Sequence, residues 1–285
     1  MTYKDLTFQK ERSLYNIKDS KVINCKFQGE EDGESPLKEC KNIVVEECDL
    51  NLRYPFWHNE NVRISNCDLK ENCRAPMWYC NDFTIHDCNL NCVKAVRECK
   101  NVKVVNSNVK SEEFGWKSNK LTLTDSSFDG HYFLFNTNDV TMNNCNMNGK
   151  YSFQYMNNLK IDNCNFDTKD AFWHSKNVVV TNSTLKGEYI GWYSNNVALI
   201  NCTIIGTQPF CYCKKLKIVN CKFIDADLAF ENSEVNATIV GDIVSIKNPT
   251  KGKIVVGGNT KVIIEDYTKV PKAKVIINNG KGEAK

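Results

Sequence analysis

The decapeptide Asn157–Phe166 reads NNLKIDNCNF, and similar phrases follow at Asn195–Ile204 (NNVALINCTI) and Lys214–Phe223 (KKLKIVNCKF). We take the Cys or Ser after the asparagine as a marker of register. The marker recurs at intervals of 19, 21 and then seven times 19 residues, at Cys48, Cys67, Cys88, Ser107, Ser126, Cys145, Cys164, Ser183, Cys202 and Cys221. A fixed period of this size predicts a solenoid, in which each repeat buries its apolar face by stacking on its neighbours.

Apolar and polar residues alternate around each marker. In the repeat marked by Cys164, Leu159 and Ile161 precede the marker and Phe166 follows it. Such alternation, rich in Val and Ile across the repeats, predicts a strand that runs into a turn. The residue before the marker is Asn or Asp in nine of the ten repeats. These residues tolerate the left-handed backbone of sharp turns, and a stacked Asn column allows hydrogen bonds along the stack.

Two solenoid folds fit this phrase. A leucine-rich repeat also carries an L-x-L-x-x-N/C-x-L phrase, but its period is usually about 20–29 residues and its second half is often helical. Here the second half reads PFWHN, AFWHS or IGWYS, which is aromatic and has no helical period. We therefore predict an all-β fold, a single-stranded right-handed parallel β-helix of about ten coils of 19 residues each.

The chain is expected to form one domain over residues 1–285. Residues 1–20 are predicted to be an N-terminal cap, 21–232 the regular coils, and 233–285 the C-terminal coils and cap. The last of these segments loses the Asn-Cys phrase but stays rich in strand-forming residues. A solenoid needs such atypical terminal units to cover its open edges.

Composition limits the class of partner and the compartment. The formal net charge is +3, and the lysines are scattered along the chain, so we expect no nucleic-acid partner. No apolar run approaches a membrane span, and the start MTYKDLTFQKERSLYN has no apolar segment typical of a signal peptide, so neither a membrane partner nor export is expected. Fifteen cysteines without an export signal favour a reducing compartment, and we predict a cytoplasmic protein with free thiols. The cysteines read as buried turn residues, and neither a metal nor a cofactor is expected.

Several phrases resemble a known family. They are GESPLKEC, RAPMWYC, KDAFWHS, GEYIGWYS, DLAFENSEVNATI and SIKNPTKGKIV. Together they are similar to an uncharacterised bacterial family of β-helix proteins, which is grouped with the pectate-lyase-like right-handed helices. The resemblance covers nearly the whole chain and implies the fold. Members are often labelled hydrolases, although no catalytic residues are assigned to them, so the resemblance implies little about the reaction.

Candidate functional residues come from the second half of the repeats. Extra residues before Cys88 and before Cys48 fall in this loop, and insertions in solenoids often collect on the binding face. Trp and Tyr rings with polar edges suit sugars, and paired carboxylates act as acid and base in glycosidases. The expected ligand-binding residues are Arg74, Trp78, Trp116, Tyr132, Lys150 and Trp192, and the expected catalytic residues are Glu112, His131, Asp170 and Glu188.

Spacing limits which of these residues can act together. Glu112 and Glu188 are separated by four coils, about 19 Å at the spacing of parallel strands. That distance exceeds the roughly 5–9.5 Å between the two carboxyl groups of a glycosidase. The adjacent-coil pairs, Glu112 with His131 and Asp170 with Glu188, are the better candidates. The alternative is a solvated face of alternating charges, in which the aromatic residues pack the turn.

Two functions therefore stay open. The first is a carbohydrate-active protein, a hydrolase or a lyase, that binds an oligosaccharide along one aromatic and charged face. The second is a non-catalytic module that binds a glycan or a protein. A compact cleft with a perturbed acid would favour the enzyme, whereas a flat aromatic face without such an acid would favour the binding module. The sequence gives no indication of the oligomeric state.

Overall fold

The computed structural model describes residues 1–29, 33–265 and 272–278. Over these residues the chain consists of strands and turns, and none of it is helical. A helix long and apolar enough to cross a membrane is likewise absent from these described ranges. The chain divides into two compact units, Met1–Asn148 (unit 1) and Gly149–Lys285 (unit 2).

Each coil of unit 1 contributes a long strand and a short strand to two parallel stacks. The long-strand stack is built from Thr2–Lys4, Lys18–Ile23, Lys41–Glu46, Glu60–Ser65, Asn81–His86, Lys100–Val105, Asn119–Thr124 and Asn138–Asn143. The short-strand stack is built from Thr7–Phe8, Lys26–Phe27, Asp49–Leu50, Asp68–Leu69, Asn89–Asn91, Asn108–Lys110 and Ser127–Asp129. Met77–Trp78 and Val96–Arg97 pair separately, and the division between the units falls within the strand Asn146–Lys150.

Unit 2 has the same construction. Its long strands are Asn157–Asp162, Lys176–Thr181, Asn195–Ile200, Lys214–Ile224, Glu234–Ile239, Lys251–Val256 and Lys274–Ile277. Its short strands are Asn165–Lys169, Thr184–Lys186 and Thr203–Ile205, which are continued by the end of Lys214–Ile224. Ser245–Lys247 and Lys261–Ile263 form a further parallel pair.

The strand register follows the sequence period. In unit 2, Leu159 pairs with Val178, Val178 with Val197, and Val197 with Leu216, always in parallel orientation. These side chains are buried, as are Ile161 and Val180 three residues before their markers. The predicted parallel β-helix is thus confirmed. The leucine-rich alternative fails because the second half of each described repeat forms short strands and turns instead of helix.

The predicted number of coils is too low. The described residues contain eight long strands in unit 1 and seven in unit 2, fifteen in all, and about fourteen turns of the solenoid lead from the first to the last. The extra turns lie at the ends, where Thr2–Lys4, Glu234–Ile239, Lys251–Val256 and Lys274–Ile277 stack without the Asn-Cys phrase. Alternating apolar residues are enough to form these strands, so counting markers misses them. Residues 266–271 and 279–285 of the predicted C-terminal segment lie outside the described ranges.

The marker residue satisfies the backbone inside the turn. The Cys164 thiol donates to the carbonyl of Asp162 at 3.2 Å, and the Ser183 hydroxyl donates to that of Thr181 at 2.6 Å. In the preceding position, Asn163, Asn182 and Asn201 have φ of 50°, 51° and 54°, the predicted left-handed backbone. The asparagines also bond along the stack, because Asn220 Nδ2 donates to Asn201 Oδ1 at 2.9 Å. Both predicted roles of the phrase are therefore present.

All fifteen cysteines are buried free thiols. Burial raises the pKa of the Cys40 thiol to about 11 and that of Cys211 to about 12. Because the thiolate is the reactive form, these two cysteines are inert packing residues at neutral pH.

Candidate functional site

The candidate residues lie on the turn that joins each short strand to the next long strand, which we call the corner. Two of the candidate tryptophans are fixed by their own indole groups, whereas the buried Nε1 of Trp78 has no hydrogen-bond partner in the described residues. Nε1 of Trp116 donates to the carbonyl of Tyr132 at 2.7 Å, and Nε1 of Trp192 donates to that of Gln208 at 2.8 Å. Each bond reaches one coil further along the stack. These N–H groups stabilise the corner and are not available to a ligand.

In unit 1, Glu112 and His131 meet through the backbone. An oxygen of the exposed Glu112 carboxylate accepts the main-chain N–H of His131 at 2.8 Å. The imidazole Nδ1 of His131 is buried and has no hydrogen-bond partner in the described structure. The two residues are therefore neighbours, as predicted, but the contact orders the turn rather than linking carboxylate to imidazole.

Two unit 1 candidates, Trp78 and Trp116, flank a residue that was not among the candidates. The guanidinium of Arg97 lies between two indole rings, 5.0 Å from the Trp78 ring centroid and 5.3 Å from that of Trp116. Its Nη1 also lies 3.2 Å from a carboxylate oxygen of Glu113. The signal was present in the sequence, because Arg97 occupies the position where neighbouring repeats carry Trp. Arg74 is exposed at the start of this corner, and Tyr132 is 41% exposed beside Trp116.

In unit 2, Asp170 is buried, with 7% of its surface exposed. Its main-chain N–H donates to the carbonyl of Glu188 at 2.9 Å. Burial raises the pKa of Asp170, and the negative charge of Glu188 raises it further, whereas Lys169 and Lys150 act in the opposite direction. A buried acid with a raised pKa beside a second carboxylate is the pattern that often marks a functional site.

Glu188 has a different environment from Asp170. It is exposed, and its carboxylate lies 2.8 Å from Nζ of Lys169. The hydrogen bond to Glu188 raises the pKa of Lys169. The same ammonium lies 5.2 Å from the ring centroid of Tyr189. The two carboxyl groups on adjacent coils therefore differ: Asp170 is buried and has no salt bridge among the described residues, whereas Glu188 is exposed and ion-paired.

A glycine permits the close approach of these coils. Gly187 directly precedes Glu188 and has a φ of 151°. A Cβ atom there would lie 2.3 Å from the carbonyl oxygen of Thr168. A larger residue would push the Glu188 turn away from the turn that carries Lys169 and Asp170.

The aromatic rings of the unit 2 corner cover one another. Trp173 and Trp192 stack with centroids 5.6 Å apart and planes within 7°. A second stack runs beside it through Tyr155, His174, Tyr193 and Tyr212, with successive centroids 5.0, 5.0 and 4.8 Å apart. Since the faces lie against each other, the edges and hydroxyl groups point outward. This second stack was not expected from the sequence, although its four residues recur at intervals of 19 in the corner.

The structure thus brings together Glu112 with His131 in unit 1, and Lys150, Asp170 and Glu188 in unit 2. Trp78 and Trp116 meet through Arg97, and Trp192 lies against Trp173. Part of the insertion before Cys48 falls on residues 30–32, outside the described ranges. In the part of the chain that the structure describes, no group of three His, Cys, Asp or Glu side chains is placed to hold a metal ion. The catalytic and ligand-binding assignments remain predictions.

Comparison with solved structures finds similar folds at low identity. A double mutant of the periplasmic alginate epimerase AlgG has a TM-score of 0.45 and 8% identity, over 91% of this chain and 77% of that chain. PfbA, a surface adhesin of Streptococcus pneumoniae, has a TM-score of 0.38 and 10% identity, over 98% and 82%. A mannuronic acid specific polysaccharide family 6 lyase from human gut microbiota has a TM-score of 0.37 and 8% identity, over 94% and 85%.

No curated protein matches the chain. A family model does match, and it covers residues 1–277, almost the entire sequence. The predicted resemblance to an uncharacterised family is confirmed by this match: the chain belongs to the family described as Protein of unknown function (DUF3737).

Proposed function

We propose that the protein is a carbohydrate-active β-helix that binds an oligosaccharide at the unit 2 corner and hydrolyses a glycosidic bond there. The observation that carries this proposal is the contrast between Asp170 and Glu188. Burial holds the pKa of Asp170 above its ordinary value, which favours the protonated form that a general acid needs. Glu188 is exposed and paired with Lys169, which suits a second carboxylate that stays ionised.

The coil spacing supports the pairing of these two acids. The Asp170 N–H donates to the Glu188 carbonyl at 2.9 Å, so the two residues lie on adjacent coils, whose backbones are about 4.8 Å apart. A retaining mechanism needs their carboxyl groups at roughly 5–5.5 Å. In this proposal Asp170 protonates the leaving-group oxygen and Glu188 attacks the anomeric carbon. Water then releases the sugar, with Asp170 acting as base. The half-buried rings of Tyr189 and Trp192 supply apolar contacts to the sugar, and the ammonium groups of Lys150 and Lys169 supply polar contacts to its hydroxyls.

A second candidate is the non-catalytic binding module. The stacked rings favour it, because Trp173 and Trp192 bury each other's faces and their indole N–H groups bond to the backbone. Such a corner is rigid and offers ring edges, which fits recognition without a deep cleft. This candidate requires that ligand binding survives removal of either carboxylate.

The experiment is release of reducing ends from a panel of polysaccharides and oligosaccharides, with glycan-array binding measured in parallel. Asp170→Asn and Glu188→Gln should each lower turnover by at least about a hundredfold while binding is retained. The matched control is Asp167→Asn, which removes an exposed ion pair with Lys186 of 2.7 Å elsewhere in unit 2. Binding without turnover in the wild type would support the module, and absence of both would overturn the proposal.

The compartment is part of the same proposal. The fifteen buried free thiols support a reducing environment, and we propose that the protein acts in the cytoplasm on intracellular oligosaccharide. Localisation of a tagged full-length chain by cell fractionation tests this point.

A further inference from the structure

Lysines that are scattered in the sequence gather on one surface of unit 2. The four strands Lys214–Ile224, Glu234–Ile239, Lys251–Val256 and Lys274–Ile277 are consecutive neighbours in the long-strand stack. Their outward positions carry Lys214, Lys215, Lys217, Lys251, Lys253 and Lys274, which we call the lysine face. All six side chains belong to exposed residues.

The register places these lysines side by side. Lys217 pairs with Asn236, Asn236 with Lys253, and Lys253 with Lys274, so one outward column holds three lysines within four strands. At a strand spacing of about 4.8 Å, this column is about 14 Å long. Lys214 and Lys215 lie at the start of the first strand, and Lys251 lies at the start of the third.

Acidic groups do not neutralise this surface. Glu234 is the one acid in the four strands, and it forms an ion pair with Lys251 at 3.0 Å. Lys214, Lys217, Lys253 and Lys274 have no salt-bridge partner among the residues that the structure describes. Four uncompensated cations on neighbouring strands favour an anionic partner.

An aliphatic stripe accompanies the lysine face. Val219, Val255 and Ile276 are half-buried residues on the outward side of the same strands, two positions beyond Lys217, Lys253 and Lys274. The exposed Thr238 occupies this position on the second strand. Lysine ammonium groups next to aliphatic side chains form an amphipathic surface. The outward positions of these strands carry no arginine and no aromatic ring.

We infer that the lysine face is a docking surface for an anionic lipid bilayer. The outward side chains of these four neighbouring strands share one surface, so several ammonium groups can face lipid phosphates together. The face has no rings on which bases or sugars could stack. Each lysine near an anionic membrane surface strengthens partitioning about fivefold, and the aliphatic stripe adds apolar contact.

The sequence predicts no membrane partner, because no apolar run in it approaches a membrane span. The docking surface proposed here needs neither a span nor a high net charge. It is also independent of the acid pair at the corner, because Asp170 and Glu188 do not belong to these four strands.

The test is co-sedimentation of the full chain with vesicles of phosphatidylcholine alone and of phosphatidylcholine mixed with phosphatidylserine. Binding is expected to the mixed vesicles only and should weaken as salt is added, because salt screens exposed charges. The triple substitution Lys217→Gln, Lys253→Gln and Lys274→Gln should reduce partitioning roughly a hundredfold at low salt. The matched control changes Lys100, Lys103 and Lys120 to Gln, which are three exposed lysines of unit 1 without a salt-bridge partner in its described residues.

The outcomes separate the proposal from its competitors. No binding of the wild type to the mixed vesicles would overturn it, as would equal losses in the test and control variants. Tight binding to duplex DNA or heparin without binding to vesicles would assign the face to a soluble polyanion instead. If the triple variant has a lowered melting temperature, Lys253→Gln and Lys274→Gln are tested singly, and each should lose several-fold in partitioning.

Discussion

The backbone N–H of Cys164 donates a hydrogen bond to the hydroxyl of Ser183, one coil further along the stack, at 3.0 Å. The same contact uses sulfur elsewhere, since Cys48 N–H donates to Cys67 Sγ and Cys202 N–H donates to Cys221 Sγ, both at 3.4 Å. Either Cys or Ser can occupy the marker position, because both side chains accept a hydrogen bond from this buried N–H and donate one to a carbonyl within their own turn.

Ser183→Ala should therefore destabilise the protein by about 1–3 kcal/mol, because it leaves the buried N–H of Cys164 without an acceptor. Ser183→Cys keeps an acceptor at the same position and should cost less. Urea unfolding followed by circular dichroism measures both variants. Equal losses for Ala and Cys would show that side-chain size, and not the hydrogen bond, sets the residue type.

The inward and outward faces of one strand can be separated by two adjacent substitutions. Val180 is 1% exposed, whereas Val179 is 40% exposed. Val180→Asp buries a carboxylate among apolar side chains and should cost several kcal/mol, a large part of a domain stability of about 5–15 kcal/mol. Val179→Asp should change the melting temperature little. A similar loss in both variants would contradict the assigned orientation of this strand.

The Arg97 stack predicts a preference for a planar cation. Arg97→Lys removes the flat guanidinium from between Trp78 and Trp116, and each cation–π contact is worth about 0.5–1 kcal/mol. We expect a loss of about 1–2 kcal/mol in urea unfolding, with a blue or red shift of tryptophan fluorescence as the rings repack. Lys103→Arg on an exposed strand position is the control. Full stability of Arg97→Lys would show that the charge alone matters.

Asp170 predicts a pH dependence of stability. Its pKa is raised in the folded protein, so the folded state binds the proton more tightly than the unfolded state does. The stabilisation from this tighter proton binding is fully present below the ordinary Asp pKa near 3.9. It is lost as the pH rises through the higher pKa of Asp170 in the folded protein.

Asp170→Asn should remove this component, because the amide does not ionise. Its free energy of unfolding, relative to the wild type, should therefore rise between acidic and neutral pH. Urea titrations of both proteins across this range provide the measurement, with Asp167→Asn as the exposed control. Parallel pH profiles for the wild type and Asp170→Asn would contradict the raised pKa.

The sequence alone determined the repeat, the strand direction and the inward side of the regular coils. The reason is that stacking makes the environment of each position depend only on its place in the period. Leu159, Val178, Val197 and Leu216 share one register and are all buried. The marker phrase could also be explained from the sequence. Each turn needs an asparagine that adopts the left-handed backbone conformation, followed by a small residue that forms hydrogen bonds.

The tertiary structure decided which side chains of neighbouring coils lie together and how the strands align where the 19-residue period is lost. Whether a corner carboxyl is buried or exposed depends on its neighbours one coil away, so the contrast between Asp170 and Glu188 cannot be read from a single repeat. The lysine face arises where coil length departs from 19 residues: Lys217, Asn236, Lys253 and Lys274 are separated by 19, 17 and 21 residues. Only the hydrogen-bonded register aligns these side chains, because backbone pairing, and not sequence spacing, sets which residues share a column.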